Sequence, residues 1–183
     1  MKYLALLRGI NVGGNNLINM ADLRQCLEES GFKKVSTYIQ SGNVLFESPA
    51  RDPARVTGKI ERALSARFGY TALIVLVSED QLEAVMDGAP DQFGTDPGTY
   101  RYDVIFLRPP FQASKVLPTM KLKEGVDEAF ANEHAIYCRR PISKASQSSL
   151  PKLIAHPAYK SMTIRNWNTT SKLHELMKLN LSS

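Results

Sequence analysis

Cysteine is scarce. Cys26 and Cys138 are the only two, far apart and in no metal or redox spacing. That excludes a disulfide scaffold and a cysteine-based metal centre. Buried free thiols are the expectation, since a reactive cysteine needs an exposed, electropositive setting. Histidine is nearly as rare, and His134, His156 and His174 have no metal-ligand spacing. Neither a metal nor a cofactor is therefore expected. Long apolar runs are missing. The longest, residues 72–77, is far too short to span a bilayer, and Arg8 interrupts the first apolar run too early for a signal peptide. These absences point to a soluble, cytoplasmic protein with no membrane partner. No Walker A loop, dinucleotide fingerprint, G-x-S-x-G elbow or fixed-period repeat occurs. Ten prolines and eleven glycines are too few for collagen-like or low-complexity chains.

What is present is ordinary globular composition: 183 residues, 43% hydrophobic and 22% charged. A chain of this length buries about 70% of its unfolded surface. The net charge of +5 is unevenly spread. Residues 1–90 carry ten cations and ten anions. From Arg139 onward there are eight cations and one acid, Glu175. The segment suggests an anionic partner, with Arg139, Arg140, Lys144, Lys152 and Lys160 expected on one face. A solvated basic face is the plain alternative.

Apolar spacing and capping residues give the element order. Residues 2–8 form a strand. Asn19 caps a helix carrying Met20, Leu23 and Leu27, which Gly31 ends. Residues 35–40 and 44–46 form a hairpin around Ser41-Gly42-Asn43. Asp52-Pro53 opens a second helix that Gly69 stops, and residues 72–77 make a strand. Ser78 and Gln81 form a capping box. Residues 87–98 read as a polar loop. The second half repeats the order weakly: strand 102–107, a short helix at 111–117, a hairpin around Asn132-Glu133, a partly helical 143–155, a short strand at 160–164, and a helix capped by Asn168. The fold class is α+β: two ferredoxin-like (βαββαβ) units packed together in one chain, at 1–78 and 79–183. The second includes the C-terminal helix.

Three polar segments could hold a ligand. The first runs from Arg8 to Asn16. Its glycines can turn backbone N–H groups towards an anion, with Arg8, Asn11, Gly13, Gly14 and Asn15 as contacts. A simple chain reversal is the alternative. The second is Gln40, Ser41 and Asn43 at the hairpin, where local turn bonding is the alternative. The third is Arg165, Asn166, Trp167, Asn168 and Thr169, an arginine beside a helix start. There the alternative is that Trp167 anchors the core and Asn168 caps the helix. Arg8 and Arg165 are expected to converge on one pocket, because desolvated arginines need anions and nearby acids are scarce. An RNA-recognition surface is disfavoured, since the central strands offer only Tyr3 and Phe46 for stacking.

L-L-R-G-I-N-V-G-G at 6–14, M-A-D-L-R at 20–24, Y-I-Q-S-G-N-V at 38–44 and R-N-W-N-T at 165–169 resemble domain-of-unknown-function family 1697, almost end to end. The resemblance implies a bacterial cytoplasmic protein with ferredoxin-like parts, and it brings no activity or catalytic residues. The expected function is binding of a small phosphate- or carboxylate-bearing ligand at the first loop. The alternatives are sequence-blind nucleic-acid binding through the basic C-terminal segment, and a protein-interaction module. No catalytic residue is singled out.

Overall fold

The computed structural model describes residues 1–11, 13–14 and 16–179. The chain divides into two units, Met1–Leu82 with the segment from Leu173, and Glu83–Lys172. The division differs from the expected 1–78 and 79–183. It falls inside a helix, and the last part of the chain goes with the first unit. There Lys2 Nζ donates to Met177 O at 3.2 Å, which ties that segment to the first strand.

The first unit begins with β1 (Lys2–Leu7), followed by α1 (Met20–Glu29), β2 (Lys33–Tyr38), β3 (Asn43–Glu47), α2 (Pro53–Phe68) and β4 (Ile74–Ser78). The helix ends follow from local chemistry. Asn19 accepts from Ala21 N, and Asp52 accepts from Ala54 N with Pro53 behind it. At the end of α1, Gly31 N donates to Glu28 O and Phe32 N to Leu27 O. This Schellman pair needs the left-handed φ of +83° that Gly31 supplies. The sheet order is β2-β3-β1-β4, antiparallel throughout. Side chains alternate across it. Tyr3, Ala5, Leu7, Val44 and Phe46 face α1 and α2 and share a core with Leu23, Leu27, Val56, Ile60 and Leu64. Burying each such leucine or isoleucine contributes about 1.5–3 kcal/mol.

α3 (Glu79–Asp87) carries the division between the units. Its start is the expected box: Gln81 N donates to Ser78 Oγ, and Ser78 N to Gln81 Oε1. The second unit holds β5 (Tyr100–Leu107), α4 (Ala113–Val116), β6 (Glu128–Ala131), β7 (Ala135–Pro141), β8 (Met162–Asn166) and the start of α5 (Trp167–Leu179). Its sheet order is β6-β7-β5-β8, again antiparallel. Ile105, Ile136 and Cys138 line a core with Ala113, Val116, Leu150 and Leu153. Residues 143–155 do not form an α-helix. They run as two tight 3-10 segments, Ile142–Gln147 and Leu150–Ala155, because Pro151 removes an N–H and crowds the preceding turn.

Candidate functional site

β1 is held at its end by Leu7 N donating to Gly42 O at 2.8 Å and Arg8 N donating to Leu73 O at 3.1 Å. The chain then passes through left-handed residues: Gly9 (φ +65°), Asn11 (+52°), Gly13 (+58°), Gly14 (+78°) and Asn16 (+47°). Glycine and asparagine tolerate that region best, which accounts for the composition of the loop. Asn11 is its brace. Its Nδ2 donates to Ile18 O at 3.1 Å and to Gln40 O at 2.8 Å, and its Oδ1 accepts from Ile18 N at 2.8 Å. Asn16 Nδ2 donates to Gly9 O at 2.8 Å. Asn11 therefore spends its amide on the chain and shapes the loop from within. Gly13 and Gly14 are exposed, with open space where a Cβ would stand. Arg8 is half-buried at the base of the loop. Asn15 lies outside the described residues.

The hairpin turn is the other side of the same place. Gly42 has a φ of +75°, and a Cβ there would come within 2.7 Å of Leu7 Cβ and 2.8 Å of Ile10 Cδ1. Only glycine lets the turn sit this close to the loop. Asn43 is fully buried, and its Nδ2 donates to Tyr38 O and Ser41 Oγ. Gln40 is exposed and lends its backbone carbonyl to Asn11. The first two sequence candidates thus meet within one unit. Beside them stands a strained residue that nothing in the sequence flags. Ile39 is exposed at 49% with φ +49°. A β-branched side chain in that region costs about 1–2 kcal/mol.

The third candidate belongs to the second unit. The cap of α5 is Asn166, not Asn168: Asn166 Oδ1 accepts from Thr169 N at 2.7 Å, three residues on. Asn168 is exposed in the first turn, because β8 runs to Asn166 and the helix follows at once. Thr169 is buried, and Thr170 Oγ1 donates to Asn166 O. Trp167 meets Phe93 edge-on, with ring centroids 5.2 Å apart, and Phe93 also touches Tyr102 and Tyr137. Gly94, at φ +84°, lets the loop pass there, since a Cβ would fall into the Trp167 ring. Trp167 is a packing anchor. Arg165 Nη1 donates to Thr163 Oγ1 and Ile164 O, and burial lowers its pKa to about 10, so it stays charged.

Two further polar centres escaped the sequence. Asn132 Nδ2 donates to Ala84 O and Tyr137 OH, while its Oδ1 accepts from His134 N and Ala135 N. Asp127 is buried and accepts from Ser148 Oγ at 2.6 Å, Lys123 N and Ser149 N. Burial pushes its carboxyl up, but these hydrogen bonds and the Arg140 charge together bring it below the usual range. At Asp103 burial wins, and the carboxyl stays raised despite Arg140 Nη1 at 3.0 Å. Cys138 is raised to about 12 by burial, and both thiols are buried.

The expected single basic face is broken at its start. Arg139 and Arg140 are neighbours on β7 and point to opposite sides of the sheet. Arg139 pairs with Glu128 at 2.7 Å and Arg140 with Asp103. Lys144 Nζ donates to Gly125 O. Among the described residues no His, Cys, Asp or Glu cluster could hold a metal ion, and no helix is long and apolar enough to cross a membrane.

Two four-stranded antiparallel sheets with helical crossovers define an α+β protein whose polar loop and hairpin turn are built together. The family model described as "Protein of unknown function (DUF1697)" matches residues 1–137, and the chain belongs to that family. Among solved structures, it is similar to conserved bacterial protein SP0830 from Streptococcus pneumoniae, at 30% identity and a TM-score of 0.84 over 96% of this chain and 98% of that one. No curated protein matches the chain.

Proposed function

We propose that the chain binds a small anion, phosphate- or carboxylate-bearing, at the Arg8-to-Ile18 loop. One observation carries this: Asn11 and Asn16 brace the loop from inside, while Gly13 and Gly14 stay exposed with open space where a Cβ would stand. A preshaped loop that turns backbone N–H groups to an anion binds it without a large ordering cost. Arg8 supplies charge at the base, and Asn11 and Asn43 act as positioning residues. Residues 9–17 contain no Ser, Thr, Cys, His, Asp or Glu, so the loop offers donors and no nucleophile. Binding without turnover is the function it suits. Asn166 and Trp167 are accounted for by capping and packing and are left out of this site. We read the matching sheet orders as two ferredoxin-like units in a cytoplasmic bacterial protein.

Backbone amide NMR during titration with inorganic phosphate and with acetate tests the assignment. Saturable shifts are expected at Gly13 and Gly14. Arg8→Ala should abolish them and leave the melting temperature within a few degrees. If those two amides stay still while the anion saturates elsewhere, the loop is structural.

A further inference from the structure

Residues 1–90 are electrically balanced, yet the fold sorts their charges. α2 buries Val56, Ile60 and Leu64. Its outer side carries Arg55, Lys59 and Arg62, all exposed. Their spacing of four and then three residues puts them on one face, about 10 Å from first to last at 1.5 Å per residue. Exposed Arg51 stands just ahead of the cap. Four of the carboxylates on or beside α1 and α2 are engaged elsewhere. Glu29 pairs with Arg67 at 2.6 Å, and Glu28 with Arg24 at 3.6 Å. Glu61 accepts from Ile74 N, and Asp52 accepts from Ala54 N as the helix cap. Among the described residues, no ion pair joins Arg51, Arg55, Lys59 or Arg62 to an acid. Two of the cations are held in place. Lys59 Nζ lies 5.2 Å from the centre of the Phe32 ring. Arg62 lies back over Gly58, where a Cβ would come within 3.1 Å of Nη1. Glycine is a poor choice inside a helix, and here it makes room for that guanidinium.

We propose that this face of α2 docks the phosphodiester backbone of a nucleic acid, apart from the small-anion loop. Three of the four cations are arginines, whose planar fork matches phosphate oxygens in pairs. The apolar stripe of the helix is consumed by the core, so it cannot insert into lipid. No large apolar side chain is exposed on α2 to anchor a protein partner. Contacts to phosphate alone position a duplex without reading its sequence.

Fluorescence anisotropy with a short labelled DNA duplex tests the proposal. Three phosphate contacts predict that affinity falls about 40-fold between about 50 and about 200 mM salt, with a slope near −0.9 per contact. The paired change Arg55→Glu and Arg62→Glu should weaken binding by more than tenfold with the melting temperature unchanged. Arg55→Lys with Arg62→Lys should retain most of it. The proposal is overturned if the wild-type chain does not bind. It is also overturned if the Glu pair binds like wild type, if Lys152→Glu with Lys160→Glu abolishes binding instead, or if poly-glutamate competes as well as DNA.

Discussion

The two units reach the same strand order, β2-β3-β1-β4 and β6-β7-β5-β8, by different connections. The first crosses over with helices of 10 and 16 residues. The second uses a four-residue α4 and short 3-10 segments. Proline explains much of the difference. Pro109, Pro110, Pro118, Pro141, Pro151 and Pro157 punctuate the second set, whereas Pro53 stands at the one helical position that accepts it. The order of a sheet is therefore set by strand pairing, and the crossovers need only cover its face. Leu150, Leu153 and Ala158 achieve that cover from non-α backbone.

Two glycines, one from each unit, are required for different reasons, and this gives the largest expected effect. Gly94 is demanded by both packing and φ, whereas Gly13 is demanded by φ alone. Gly94→Ala should cost about 3 kcal/mol and Gly13→Ala about 1 kcal/mol in urea unfolding. Equal losses would erase the distinction. Next comes Asp127, a carboxylate hub of the second unit. Asp127→Asn should cost about 2 kcal/mol at neutral pH. The folded carboxyl titrates below its unfolded value, so its contribution is complete above about pH 4 and vanishes as pH falls through the folded value. The variant should show a flatter acid limb, and parallel curves would place the acid sensitivity elsewhere. The smallest effect separates the two asparagines at α5. Asn166→Ala should lower stability by about 1 kcal/mol, against a few tenths for Asn168→Ala. A reversal would restore Asn168 as the cap.

The first unit was largely legible because its signals are local. Asn19, Asp52, the Ser78–Gln81 box, Gly31 and Gly69 each fix a helix end within four residues. The second resisted because R-N-W-N-T offers two asparagines one residue apart from Trp167, and only the length of β8 chooses between them. Candidate loop residues were visible by composition, yet the job of Asn11 was not. Its partner Gln40 is 29 residues away, beyond any spacing rule. The basic segment misled for a similar reason: Glu128 and Asp103, which neutralise Arg139 and Arg140, precede it in sequence and arrive by strand pairing.

The double tie of Asn11 decides where the chain can be cut and extended. Surface loops are the usual sites for an inserted tag or for new termini in a circular permutant, provided their backbone is free. Here the turn at 39–42 and the stretch at 16–18 are locked to one another through a single amide group. Lengthening either would pull on both. Gly13 and Gly14 stand clear of those ties, exposed and with open space where a Cβ would be, and the bond between them is the seam where the chain takes an insertion.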